Sequence, residues 1–163
     1  MKKRAESFIA GIGGMIAGIV MGRFFQRRRE KKRLYFVGQE RDKFQDYYYL
    51  LSHWLEAKNN GGNVTEYFIE RGCQRIAVYG MGELANRLCE DLQGSEVEVM
   101  YGIDRDVCNT ISRIPDIYSP EDSLPSVDAV VVTPFYAFDS IQEMLTRKVR
   151  CPVISIEEVI WSI

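Results

Sequence analysis

The chain has 163 residues, of which 21 are basic and 23 are acidic, so its formal net charge is −2. The charges are unevenly distributed: residues 1–33 hold ten basic and two acidic side chains, whereas residues 34–163 hold 11 and 21. An acidic body repels phosphate, so we expect no nucleic-acid partner. At 46% hydrophobic residues the chain is not of the disordered class, and its length suits one small domain with a short extension.

An uncharged apolar segment, residues 7–22, lies between a basic N-terminus and a second flank, residues 23–33, that carries seven basic side chains. As a helix, residues 7–25 would be roughly 28 Å long, which matches the hydrocarbon thickness of a bilayer. We therefore predict a transmembrane helix within residues 1–33. The more basic flank favours the cytoplasm, so the rest of a single-pass cell-membrane protein would be cytoplasmic.

Two alternatives to this transmembrane helix stay open. A cleaved signal peptide would need a cleavage site with small residues, and none follows the apolar segment. A helix lying in the membrane interface would need a polar face, which residues 7–22 lack. We expect the retained helix, with the lipid bilayer as its partner.

Small residues recur at every fourth position of the apolar segment. On a helix they would form one smooth stripe along which two helices can approach closely, so a homodimer through this stripe is possible. The alternative is that glycine is simply frequent in membrane helices. The stripe consists of Ala10, Gly14, Gly18 and Gly22.

Residues 34–62 are predicted to form an amphipathic linking helix that ends in the glycine-rich run at 59–62. Its apolar residues follow each other at three- and four-residue steps and would form one broad face. We expect that face to pack on the following domain or on a second copy, and we expect His53 to be structural or exposed. The face consists of Phe44, Tyr47, Tyr48, Leu51, Trp54 and Leu55.

Residues 63–163 alternate compact apolar runs with amphipathic stretches, which is typical of an α/β domain. Asn63 begins a short helix that ends at Gly72, and another helix is predicted to start at 119–122, with Pro120 in its first turn. The order of elements predicts a Rossmann-like parallel sheet of about five strands with helices on both faces. The predicted strands are 75–79, 97–103, 116–118, 127–133 and 151–156. The other predicted helices are one that ends at Gly94, 139–148 and 157–161.

A glycine turn of the form G-x-G-x-x-A joins the first predicted strand to its helix. Gly80 allows a tight turn, Gly82 lets the backbone approach a phosphate, and Ala85 lets the helix pack close to the strand. The helix N-terminus would offer N–H groups and a positive dipole end to an anion. Asp104 follows the second strand, near the spacing at which an acid accepts hydrogen bonds from a ribose. Glu83 opposes this interpretation, because it adds a negative charge beside the anion site.

Ligands of open parallel sheets bind outside the carboxyl ends of the strands, so three loops define the predicted site. We expect a dinucleotide such as NAD(P) there. The candidate binding residues are Gly80, Met81, Gly82, Glu83, Leu84, Asp104, Arg105, Thr133 and Pro134. No catalytic constellation is recognised. For an alternative function, a small NAD(P)-dependent oxidoreductase, the polar candidates near the strand ends are Tyr101, Tyr118, Thr133 and Tyr136.

The cysteines show no C-x-x-C spacing, and the single histidine lies far from them in sequence. We therefore expect no metal site. Four cysteines in a chain of this length do not indicate a disulfide framework, so reduced thiols that serve as small core residues are expected. They are Cys73, Cys89, Cys108 and Cys151.

Four segments of the domain, IAVYGMGELANRL, YGID, VDAVVVTP and CPVISIEEVI, resemble the nucleotide-sugar-binding N-terminal domain of bacterial sugar O-acyltransferases. They also resemble stand-alone relatives of that domain in surface-polysaccharide gene sets. The resemblance covers residues 63–163. It implies a nucleotide- or nucleotide-sugar-binding domain that is a scaffold or regulatory component of cell-surface polysaccharide biosynthesis.

The same resemblance argues against catalysis. The acyltransferases carry their catalytic base on a following left-handed β-helix, and the sequence ends at Ile163, so we expect no acyl transfer. Dehydrogenases and epimerases that share the glycine turn use a Tyr-x-x-x-Lys pair, which this sequence lacks. A degenerate structural adaptor that binds no nucleotide is a third alternative.

Overall fold

The computed structural model describes residues 38, 40–106, 114 and 116–163. The predicted transmembrane segment, its glycine stripe, Cys108 and the first residues of the linking helix lie outside this set. Among the described residues, no helix combines the length and the hydropathy that crossing a membrane requires. The chain divides into two compact units, Met1–Tyr47 and Tyr48–Ile163, and the second contains the sheet.

One five-stranded sheet forms the centre of the second unit. Its strands are β1 (Arg75–Tyr79), β2 (Glu98–Ile103), β3 (Ile117–Tyr118), β4 (Ala129–Val132) and β5 (Val153–Ser155). They lie in the order β3-β2-β1-β4-β5, and every pairing is parallel. Tyr79 at the end of β1 pairs with Ile103 on one side and Val132 on the other, so three carboxyl ends are level. The predicted α/β class with five parallel strands is confirmed.

Helices cover the sheet because a parallel sheet must bury both faces. The described helices are α1 (residues 40–59), α2 (Val64–Glu70), α3 (Glu83–Leu92), α4 (Phe138–Leu145) and α5 (Ile156–Trp161). Ile141 and Leu145 of α4 pack in one cluster with Ala77 and Tyr79 of β1. Side chains alternate along a strand, so Ile76 and Val78, both fully buried, face the opposite side. The second helical layer, in which α2 contacts both α3 and α5, covers that side.

The part of α1 that belongs to the second unit is fixed by a narrow face. Leu50, Trp54 and Ala57 are buried, and the Trp54 indole N–H donates to Asp91 of α3 at 2.9 Å. Lys58 forms an ion pair with the same carboxylate. The helix ends as predicted at the glycine run, where Gly61 has φ +92° and Gly62 donates to the Ala57 carbonyl at 2.8 Å.

Only part of the broad apolar face predicted for this helix packs on the sheet domain. Tyr48 and Leu55, which were assigned to that face, are 67% and 62% exposed, whereas Leu50, which was not, is buried. Aromatic and aliphatic residues on two neighbouring sides of the helix were read as one face. Only the side that contains Trp54 packs on the sheet domain, and His53 stacks on the Trp161 ring at 3.9 Å between centroids.

The helix predicted to start at 119–122 is absent from the structure, which has a turn there. The Asp122 N–H donates to the Ser119 carbonyl at 3.0 Å, and the Asp122 carboxylate accepts from the Ser119 N–H at 2.8 Å. Such local side-chain hydrogen bonds compete with helix formation, and Pro125 disfavours helical geometry at the residue before it. By contrast, Asn63 caps α2 as predicted, with its side chain accepting from the Thr65 N–H at 2.9 Å.

Candidate functional site

The order of the strands reverses at β1, which places the predicted site at a topological switch point. From β1 the chain proceeds to β2 and β3 on one side, and it then returns to β4 and β5 on the other. In open α/β sheets, ligands bind outside the carboxyl ends of the strands at such a point. The predicted site residues follow β1, β2 and β4, which are neighbours in the sheet, so the structure brings them together.

The turn after β1 requires glycine at its first position. Gly80 has φ +85°, and a Cβ on it would lie 2.6 Å from Pro134 Cδ and 3.0 Å from Thr133 Oγ1. The Gly80 N–H donates to the Ile103 carbonyl at 2.8 Å, and the Thr133 hydroxyl donates to the Gly80 carbonyl at 2.5 Å. The sequence predicted the tight turn at Gly80. The structure also shows that this turn is hydrogen-bonded to β2 and to the loop after β4.

The second glycine of the turn lies at the N-terminus of α3. Gly82 is the N-cap residue, and a Cβ on it would meet none of the described atoms within 4 Å. In the part of the chain that the structure describes, no side chain accepts a hydrogen bond from this helix end. Leu84 and Ala85 are buried and fix the helix against the sheet. The first N–H groups of a helix lack partners within the helix, and they carry the positive end of its dipole toward this space.

Asp104, directly after β2, stabilises the glycine turn through a hydrogen bond. One carboxylate oxygen accepts from the Met81 N–H at 2.7 Å, and the other accepts from the Asp106 N–H at 2.9 Å. The Met81 side chain is itself buried, and a Cβ on Gly102 would lie 2.6 Å from its sulfur. The sequence suggested a ribose partner for Asp104 and missed this structural role. Two carboxylate oxygens offer about four acceptor positions, so Asp104 retains capacity for a ligand.

The charge of Glu83 is partly offset within its own helix. Glu83 is exposed and forms an ion pair with Arg87 at 3.0 Å, and Arg87 also pairs with Glu90 at 2.7 Å. Exposed pairs of this kind contribute little to stability, but they lower the negative potential beside the helix N-terminus. Arg105, directly after Asp104, is exposed at the same edge of the sheet.

The structure places the four polar residues of the oxidoreductase alternative in different surroundings. Tyr101 is buried, its hydroxyl donates to the Pro125 carbonyl at 2.6 Å, and burial raises its pKa to about 12. The Tyr118 ring packs edge-on against it at 5.1 Å. Thr133 donates to the Gly80 carbonyl, and Tyr136 is 60% exposed after β4.

The described cysteines are free thiols, and burial raises the pKa of each of them. Cys73 is buried, and Cys89 and Cys151 are partly buried. Within residues 40–106, 114 and 116–163, no group of three or more metal-ligating side chains could hold an ion.

Comparison with known proteins gives no match to any family model, curated protein or solved structure.

The two glycines of the turn should respond differently to the same substitution. Gly80→Ala should lower the free energy of unfolding by about 2–4 kcal/mol, because the new Cβ adds positive-φ strain and overlaps Pro134. Gly82→Ala should cost less than about 1 kcal/mol, because its Cβ enters open space and only the N-cap preference is lost. Urea unfolding of both variants measures the difference. Equal destabilisation would contradict the assigned turn geometry.

Proposed function

We propose that this chain binds a nucleotide or nucleotide-sugar through a Rossmann-like domain and acts as a scaffold or regulatory component of bacterial cell-surface polysaccharide biosynthesis. The observation that carries the binding proposal is the turn at the switch point. Gly80 turns the chain at φ +85°, the Asp104 carboxylate accepts from the Met81 N–H at 2.7 Å, and Gly82, the N-cap residue of α3, has no side chain to cap the helix.

Each part of the turn has a chemical counterpart in such a ligand. NAD(P) and nucleotide-sugars both carry a pyrophosphate, which backbone N–H groups and a helix dipole stabilise. The space beside Gly82 would admit the pyrophosphate without a clash with any side chain that the structure describes. The acceptor positions of Asp104 that the backbone does not use would accept hydrogen bonds from ribose hydroxyls. Arg105 and Pro134 flank the same edge, so the residues present fit this class of ligand.

The biological setting is proposed from the sequence. The basic flanks of the apolar segment support a single-pass cell-membrane protein with its α/β domain in the cytoplasm. The glycine stripe in that segment would allow a homodimer. The link to polysaccharide assembly comes from the resemblance of residues 63–163 to the sugar O-acyltransferase domain.

Ligand binding is tested by calorimetric titration of the full chain, in a mild non-ionic detergent, with NAD, NADP and a UDP-sugar. At least one should bind, and Gly82→Leu should weaken that ligand more than about tenfold, because the side chain fills the space over the helix N-terminus. The unfolding temperature of Gly82→Leu should stay close to that of the wild type, since Gly82 has an ordinary φ of −94°.

Two glutamates, each in the first turn of its helix, provide a matched pair of variants. Glu83→Gln should tighten binding by about two- to fivefold, because it removes a negative charge beside the phosphate. Glu66→Gln, in the first turn of α2, should leave binding unchanged. If the folded wild type binds none of the three ligands, the binding proposal is refuted and the structural-adaptor alternative is favoured.

Membrane topology is tested with reporters fused after Ile163 in living bacteria. A fluorescent protein that matures only in the cytoplasm should be bright, and an alkaline phosphatase that needs an oxidising compartment should be inactive. Active phosphatase would place the α/β domain outside the cytoplasm and would refute the proposed orientation.

A further inference from the structure

An exposed aromatic residue follows β4, close to the glycine turn. Tyr136 is 60% exposed, which makes it the most exposed large hydrophobic residue that the structure describes after α1. Its ring contacts Phe135 edge-on, at 6.0 Å between centroids. More than half of the surface of this tyrosine is therefore open to solvent at the carboxyl edge of the sheet.

The loop that carries Tyr136 is fixed against the glycine turn. Pro134 lies so close to Gly80 that a Cβ on this glycine would be 2.6 Å from Pro134 Cδ. Phe135–Ala137 then form a 3₁₀ turn, in which the Ala137 N–H donates to the Pro134 carbonyl at 2.9 Å. Adjacent Cα atoms are about 3.8 Å apart, so the Cα of Tyr136 lies at most about 7.6 Å from that of Pro134. The tyrosine is thus held within reach of a ligand at the glycine turn.

The proposed ligand would have to extend over this loop. NAD and a nucleotide-sugar each carry two substituents on the pyrophosphate. With the pyrophosphate over Gly82, the ribose of one nucleoside would bond to Asp104, which follows β2. The strand β1 lies between β2 and β4 in the sheet. The other substituent would therefore point away from β2, toward the loop after β4 and Tyr136.

We propose that Tyr136 stacks on the ring that the ligand carries beyond its pyrophosphate, and that it thereby selects the complete ligand over a truncated one. In a nucleotide-sugar this ring is the hexose, and in NAD it is the nicotinamide. Both rings present a face that packs on an aromatic side chain. A tyrosine supplies a large and rigid contact surface, because it has only two side-chain torsions to fix. The inference rests on the proposed function.

The isolation of Tyr136 favours a single ring as its occupant over a protein surface. The other exposed large hydrophobic residues described after α1 are Ile69 and Trp161, which lie on α2 and α5. These two helices contact each other in the helical layer on the opposite side of the sheet from α4, which begins two residues after Tyr136. A stable protein interface buries about 800 Å² on each partner, which is many times the area of one side chain.

The experiment compares complete and truncated ligands by calorimetry on the full chain in a non-ionic detergent. The pairs are UDP-glucose with UDP, and NAD with ADP-ribose, which lacks only the nicotinamide. Tyr136→Ala should weaken the binding of a complete ligand about five- to tenfold, because the stacked ring is lost. The affinity for its truncated partner should change less than about twofold. The pair that shows this difference identifies the ring that lies on Tyr136.

Two further variants serve as controls. Tyr136→Phe should bind the complete ligand as tightly as the wild type, because it keeps the ring and loses only the hydroxyl. Tyr49→Ala removes a tyrosine of α1 that is 54% exposed, close to the value for Tyr136, and should change the affinity for neither ligand of a pair. The unfolding temperatures of all three variants should stay close to that of the wild type, since both tyrosines are largely exposed.

Three results would overturn the inference: equal weakening of the complete and the truncated ligand by Tyr136→Ala, no weakening of either, or equal effects of Tyr136→Phe and Tyr136→Ala. In each of these cases the wild type still binds a nucleotide, so the proposed function survives. A folded wild type that binds none of the four compounds refutes the proposed function, and this inference with it.

Discussion

The hydrogen bond from the Met81 N–H to the Asp104 carboxylate is the interaction on which the candidate site depends. It joins the turn after β1 to the end of the neighbouring strand β2, at 2.7 Å. Gly80 makes the turn possible with φ +85°, and the Thr133 hydroxyl holds its carbonyl from the β4 side. The ends of three parallel strands therefore converge on one short segment. Correct register across the sheet is a condition for the turn to form.

This bracing has a consequence for ligand binding. Hydrogen bonds within the protein fix the backbone of the turn. The N–H groups of α3 would therefore be oriented before the proposed ligand arrived, and binding would cost little ordering entropy. The same bracing brings a carboxylate close to the anion site, and Glu83 adds a second. A pyrophosphate would therefore bind against local negative charge, which Arg87 reduces through its ion pair with Glu83. Hydrogen bonds to ribose would then have to distinguish a nucleotide from other phosphate-containing ligands.

The sheet was predictable from sequence because β1 and β4 are continuous apolar runs that a parallel sheet buries on both faces. The glycine turn was predictable because only glycine fits the positive φ at Gly80. The bond from Met81 to Asp104 was not, since it depends on which strands are neighbours. The buried face of α1 was misjudged because Tyr48 and Trp54 have similar hydropathy, and only the shape of the domain decides which one docks.

The most direct test of the central claim is to follow backbone amide resonances while the ligand is added. In a 15N-labelled full chain titrated with NAD or a UDP-sugar, the amides of Gly82, Glu83 and Leu84 should shift most, because they would donate to the pyrophosphate. The Met81 amide should shift less, since it already donates to Asp104. Shifts confined to other parts of the chain, or no shifts at millimolar ligand, would contradict a phosphate site at the glycine turn.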